Sequence, residues 1–168
     1  MSQLPHRRAL GIDLGERRIG LAVREDGAAP RGLPTMLRRA TAAADAERLR
    51  TIATEGRVTE LVVGLPLHAD GSMSPQATVT LRWVAEVSHV LQLPVTFVDE
   101  RYSSQRAEVS LGRASRGSNG GAPGPARREA RRAAVDREAA RLILEDSLNP
   151  DLVIDAKVLT ATLSEPAK

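Results

Sequence analysis

Two short apolar runs constrain the fold of this chain more than any other feature of its sequence. The run ELVVGLPL (60–67) is apolar after its first residue, and PVTFVDE (94–100) is largely apolar until it ends in two acids. Short apolar runs without alternation are typical of strands buried in a sheet that is covered on both faces. Thr41 can cap a helix before the first run, and Ser74 can cap another between the two runs. Strands that alternate with helices in this way predict an α/β domain.

The N-terminal region has a different pattern. Residues 8–14 and 19–24 flank the turn Gly15-Glu16-Arg17-Arg18, which predicts two strands joined by a tight turn, and a third short strand is expected near 32–37. The predicted sheet is therefore mixed, with an N-terminal antiparallel meander followed by parallel strands and with helices on both faces. The four predicted helices run from Thr41 to about 55, from Ser74 to about 91, from a cap at Ser103 or Ser104 to about 111, and over 126–148.

The chain has the size of one domain, since 168 residues can bury a core of their own. We predict that this domain covers 1–148 and that 149–168 form a C-terminal tail, whose stretch DLVIDAKVL either adds a strand or stays loose. The segment GRASRGSNGGAPGP (112–125) has few apolar groups, which predicts a flexible Gly-rich loop inside the domain.

Composition excludes several classes of protein. The chain has no cysteine, so it can form neither disulfides nor thiolate metal sites. It has no apolar run of transmembrane length, and MSQLPHRRAL lacks the apolar core of a signal peptide. These features predict a cytoplasmic protein that does not associate with a membrane.

The distribution of arginine favours a polyanionic partner. The formal net charge is only +3, but 101–141 carry ten arginines against four acidic residues. A clustered positive excess of this kind favours binding to nucleic acid. The alternative is compositional, since only two of the 24 basic residues are lysines and alanine is abundant, as expected from a GC-rich genome.

Three carboxylates occupy positions where the sequence pattern is otherwise apolar. Asp13 lies in the first predicted strand, Glu100 ends the strand 94–100 beside Asp99, and Asp136 lies on the apolar face of the last helix. Burying one unpaired carboxylate costs several kcal/mol, and clustering three is worse because like charges repel. A positive charge must therefore balance them.

Two kinds of positive charge could do so. Arginines such as Arg17, Arg18, Arg101 or Arg137 could form ordinary buried ion pairs with the acids. Alternatively, a divalent metal could bind all three, because oxygen ligands without Cys or His suit Mg²⁺ or Mn²⁺ better than zinc. Three acids on three separate elements favour the metal.

Four motifs together resemble one family. GIDLGERRIGLAV, VVGLPLHADGSMSPQA, VDERYSSQRAE and AVDREAARLILEDSL occur in this order across most of 10–148. They resemble the YqgF/RuvX family, relatives of the RuvC resolvases within the ribonuclease H-like superfamily. The resemblance implies a ribonuclease H-like fold and a nuclease that binds Mg²⁺ or Mn²⁺ through Asp13, Glu100 and Asp136, with Asp99 as a further candidate ligand.

The resemblance also implies a reaction and two candidate substrates. We expect two metal ions on either side of the scissile phosphate, where one activates a water and the other stabilises the departing 3′ oxygen. The family is linked both to cutting Holliday junctions and to trimming the 5′ end of precursor 16S ribosomal RNA. Cutting a junction requires two active sites and therefore a homodimer.

Candidate contacts to the nucleic acid surround these acids. Members of the family often carry a lysine just before the last acid, whereas here Ala133-Ala134 precede Val135-Asp136. The candidate nucleic-acid-binding residues are Arg17, Arg18, Arg101, Ser103, Ser104, Arg113, Arg116, Arg131 and Arg132.

Two other functions remain open from the sequence. The chain could be a non-catalytic nucleic-acid-binding or ribosome-associated factor that keeps the fold without cleaving. The second alternative is an actin-like nucleotide-binding enzyme, since IDLGERRIGLAV could form a phosphate-binding hairpin. That architecture needs two such domains, and the chain has room for one. The three acids argue against the binding factor, because buried negative charge weakens binding to phosphate.

Overall fold

A computed structural model describes residues 6–101, 103–112, 122–155 and 159. Among these residues, six strands form one sheet and four α-helices accompany it. The strands are β1 (Arg8–Leu14), β2 (Arg18–Glu25), β3 (Arg31–Leu37), β4 (Glu60–Leu65), β5 (Val95–Asp99) and β6 (Val153–Ile154). The helices are α1 (Ala42–Glu55), α2 (Pro75–Leu91), α3 (Ser103–Ser110) and α4 (Pro125–Asp146), and a 3₁₀ turn covers Pro150–Leu152.

The sheet is mixed, as the sequence predicts, with strand order β3-β2-β1-β4-β5-β6. The first three strands are antiparallel neighbours, whereas β1, β4 and β5 run parallel. The short β6 pairs antiparallel with β5, so the described part of the tail adds a strand. Of the predicted loop 112–125, residues 113–121 lie outside the described residues.

The two faces of the sheet bury different side chains because successive residues of a strand point in opposite directions. Leu10 and Ile12 of β1 lie in a core with Leu49 of α1 and Trp83 of α2. The other face packs against α4, in a smaller apolar cluster. Asp13 belongs to this second face, since it follows Ile12 and precedes Leu14. Within the described ranges, no helix combines the length and the apolar character that a membrane span requires.

The structure corrects the predicted strand ends and adds one buried acid that the sequence did not indicate. β4 ends at Leu65 and β5 at Asp99, so Glu100 lies just after its strand instead of at its last position. A buried acid, Asp45 of α1, is a feature that the sequence did not indicate. Its carboxylate accepts a hydrogen bond from Trp83 Nε1 at 3.0 Å and another from the backbone N–H of Arg39 at 2.7 Å, and these partners make its burial tolerable.

Candidate active site

A row of three residues across the sheet forms the base of the site. Gly20 of β2 pairs with Asp13 of β1, and Val63 of β4 pairs with Ile12, so that Gly64 lies beside Asp13 on its other side. A Cβ atom on Gly20 would lie 2.0 Å from the carbonyl oxygen of Asp136. A Cβ on Gly64 would lie 2.4 Å from Glu100 Oε2. The two glycines therefore leave the space through which α4 and the Glu100 side chain reach Asp13.

Asp13 and Glu100 form a close carboxyl pair that shares a side-chain hydrogen bond. Burial raises the pKa of Asp13 well above its ordinary range, and the charges of Glu100 and Asp136 raise it further. Burial also raises the pKa of Glu100, and the charge of Asp99 adds to this, although hydrogen bonds from Asp13 and Ser103 partly oppose the rise. The pair therefore carries negative charge that the described residues compensate poorly.

Local backbone geometry directs Glu100 toward Asp13. The backbone N–H of Glu100 donates to the carbonyl of Leu65 at 3.0 Å, which attaches the end of β5 to the end of β4. The buried Ser103, the first residue of α3, donates its hydroxyl to Glu100 Oε1 at 2.8 Å. Asp99 precedes Glu100 and pairs with Arg101 Nε at 2.8 Å. Asp99 and Glu100 thus have different partners, and Glu100 is the acid that lies beside Asp13.

Asp136 lies on the face of α4 that packs against β2, and an arginine holds its side chain. Arg18 Nε donates to Asp136 Oδ2 at 2.6 Å, while Arg18 NH1 donates to Glu129 Oε1 at 2.9 Å. Asp136 is near enough to Asp13 for its charge to raise the pKa of that carboxyl. The sequence left open whether arginine or a divalent metal neutralises the acids. In the structure an arginine pairs with Asp136, whereas the Asp13–Glu100 pair has no such partner among the described residues.

The remaining predicted contacts have varied positions. Arg17 is exposed, and Arg101 NH1 also donates to the carbonyl of Ala69 at 3.0 Å. Arg131 donates to the carbonyls of Leu111 and Gly112, and Arg132 lies 4.0 Å from Glu129. Arg113, Arg116 and the side chain of Ser104 lie outside the described residues. Of the predicted contacts that are described, Arg18 and Ser103 contact the acids themselves.

The donor chemistry of the acids fits a hard divalent cation, although their arrangement is incomplete. Asp13 and Glu100 supply adjacent carboxylate oxygens, and no described cationic side chain balances their negative charge. Mg²⁺ or Mn²⁺ binds in such an environment. In the described part of the chain, no three acidic or histidine side chains are already grouped as ligands of one ion. Asp136 could join the other two if Arg18 released its carboxylate.

Comparison with known proteins assigns the chain to a family. The RuvX family, described as Holliday junction resolvase, matches residues 7–150. The chain belongs to the RuvX family. A relative in Synechococcus sp. is 41% identical over 147 residues, which cover 87% of this chain and 91% of the relative. Its name is "Putative pre-16S rRNA nuclease", and a Rippkaea orientalis relative with the same name is 39% identical over 142 residues, or 84% of this chain and 94% of the relative.

A solved structure shares the fold of this RuvX protein. The Thermus thermophilus RuvC, solved in complex with a Holliday junction substrate, aligns with a TM-score of 0.53 at 16% sequence identity. The alignment covers 89% of this chain and all of the RuvC chain. This similarity confirms the predicted ribonuclease H-like, mixed α/β architecture.

The raised pKa values give this RuvX protein an expected pH dependence of stability in the absence of metal. Because the pKa values of Asp13 and Glu100 are raised on folding, the folded state holds protons that the unfolded state releases. The free energy of unfolding should therefore fall as pH rises above the ordinary range of carboxyl groups. Thermal melts in EDTA from about pH 5 to about pH 8 should show a falling Tm.

Two variants test the origin of this dependence. Asp13→Asn removes the carboxyl group whose pKa is raised, so it should flatten the profile and raise Tm at the alkaline end. Asp26→Asn, the same change at an exposed acid near the start of β1, should keep the wild-type profile. Identical profiles for wild type and Asp13→Asn would contradict the assignment.

Proposed function

We propose that this RuvX protein is a metal-dependent, structure-selective endonuclease that hydrolyses phosphodiester bonds of nucleic acid. The observation that carries the proposal is the convergence of acids from β1, from the end of β5 and from α4 on one face of the sheet. Acids placed together at a structural cost indicate a functional requirement. Membership of the RuvX family adds independent support.

The three acids would hold Mg²⁺ or Mn²⁺. When bound as a pair, these ions supply an activated water and neutralise the charge that develops on the scissile phosphate. For this role, both carboxyl groups of the Asp13–Glu100 pair must be ionised. Ser103 keeps the Glu100 carboxylate oriented through its hydroxyl. Arg18 positions Asp136 and would contact a phosphate oxygen once it releases that carboxylate.

The substrate is recognised by the shape and charge of its backbone. The chain has one Trp, one Tyr and one Phe, and Trp83 is buried in the core. Stacking of bases on aromatic side chains therefore cannot dominate binding. We propose the 5′ end of precursor 16S rRNA and the Holliday junction as the two candidate substrates, both in the cytoplasm, and the junction would require a homodimer.

Cleavage assays test this proposal directly. A labelled mobile four-way junction and an RNA that spans the 5′ end of 16S rRNA are each incubated with the protein in Mg²⁺, in Mn²⁺ and in EDTA. We expect metal-dependent cuts with a 5′-phosphate at the product end in at least one substrate. Binding without cleavage in every metal would instead establish the alternative, a non-catalytic nucleic-acid-binding or ribosome-associated factor.

A further inference from the structure

A cleft rich in arginine adjoins the acids, and of the residues that line it only Arg18 has a role in the chemistry proposed above. It lies between the β1–β2 turn and the connection from β3 to α1, and its volume is about 500 Å³. Four arginines line it, together with Glu16, Leu37 and Glu129. We name these four the arginine cleft: Arg17, Arg18, Arg38 and Arg39.

Two of the four arginines already have partners. Arg18 is held by Asp136 and Glu129. Arg38 Nε lies 3.6 Å from the buried carboxylate of Asp45, and its NH1 donates to the carbonyl of Gly15 at 3.4 Å. These contacts join the β1–β2 turn to α1, so Arg38 holds the two walls of the cleft together.

The other two arginines are available to a ligand. Arg17 and Arg39 are exposed, and neither side chain forms a hydrogen bond or ion pair with any described residue. Glu16, at the rim, is exposed as well and offsets one of the two charges. Guanidinium groups bind phosphate oxygens in a bidentate manner, which favours a phosphate as the ligand of this pair.

We propose that the arginine cleft binds a backbone phosphate of the nucleic acid next to the scissile one, through Arg17 and Arg39. The proposal rests on the proposed nuclease function, because the cleft borders the acids through Arg18, which contacts Asp136 from one side and lines the cleft on the other. A strand whose scissile phosphate lies at the three acids can therefore extend past Arg18 into the cleft. The sequence had indicated Arg17 but not Arg38 or Arg39.

Binding measured without cleavage tests the cleft. Fluorescence anisotropy of a labelled four-way DNA junction and of a labelled hairpin RNA is recorded in EDTA over a series of salt concentrations. Arg17→Ala and Arg39→Ala should each weaken binding roughly five- to tenfold at about 0.1 M salt, and each should reduce the slope of log K against log salt by about one. Arg39→Lys should keep the slope, since it keeps the charge.

Two further variants make the test specific. Glu16→Gln removes the offsetting charge, so it should tighten binding. Arg7→Ala removes an equally exposed arginine from a cavity at the other end of β1 and should leave binding unchanged. All of these substitutions are made at exposed positions, so melting temperatures should stay close to wild type.

The outcomes separate this proposal from the nuclease proposal. If Arg17→Ala and Arg39→Ala bind with the affinity and salt slope of Arg7→Ala, the cleft proposal is wrong, even where the wild type cleaves. If the variants lose binding as expected while the wild type cleaves nothing in any metal, the cleft stands and the nuclease proposal fails.

Discussion

Asp13→Asn is expected to reduce cleavage by on the order of a thousandfold or more, while the protein stays folded. Asp13 lies between Gly20 and Gly64 at the centre of the row, and both Glu100 and Asp136 act on its carboxyl. Asparagine has the same shape as aspartate but no negative charge. A cation at the site would therefore lose the central one of its three carboxylate ligands. The rate of cleavage in Mn²⁺ under single-turnover conditions measures the effect.

Two comparisons make this result interpretable. Asp26→Asn, the same substitution at an exposed acid, should cleave at the wild-type rate. Asp13→Asn should also bind nucleic acid in EDTA at least as tightly as wild type, because it removes negative charge near phosphate. Cleavage by Asp13→Asn at the rate of the parent would refute the proposed metal site.

Gly20→Ala is expected to lower the free energy of unfolding by about 3 kcal/mol or more. The new Cβ would lie 2.0 Å from the carbonyl oxygen of Asp136 and 3.3 Å from the Cβ of Asp13. Its nearest neighbour is helix backbone, which cannot turn aside as a flexible side chain can. Relief of the clash would therefore require α4 to move away from β2, with a loss of packing along the helix.

Urea denaturation of Gly20→Ala measures the loss, and Gly124→Ala is the matched control. A Cβ on Gly124 would meet no atom within 4 Å, so that variant should lose only the small difference between glycine and alanine at the N-cap of α4, about 1 kcal/mol or less. An unfolding midpoint for Gly20→Ala equal to that of Gly124→Ala would show that α4 does not approach β2 as closely as described here.

The sequence predicted much of this architecture because its signals are local. The apolar runs before Pro66 and Asp99 became β4 and β5, and the caps at Thr41 and Ser74 begin α1 and α2. Helical periodicity placed Asp136 on the inward face of α4, where its backbone indeed lies against β2. Each of these inferences depends on a few residues that are neighbours in sequence, because the local pattern of apolar and polar residues indicates which side chains are buried.

Features that depend on distant partners were beyond sequence reasoning. Asp45 is buried because Trp83, 38 positions later, donates to it, and Arg18 meets Asp136 across 118 positions. The need for glycine at 20 and 64 is equally hidden, since a glycine in a strand does not indicate which group approaches it. The three acids could therefore be proposed as candidates from the sequence, but neither their hydrogen bonds nor the two glycines beside Asp13 could be predicted.

Helix α4 carries both a residue of the candidate active site and residues of the hydrophobic core. Asp136 lies one turn before Ala140, and Ala140, Ile143 and Leu144 are buried against the sheet. An enzyme built in this way has no hinge between its reactive centre and its interior, so heat should not inactivate it in a separate, earlier step. Residual activity after heating would then report directly on the fraction of molecules that remain native.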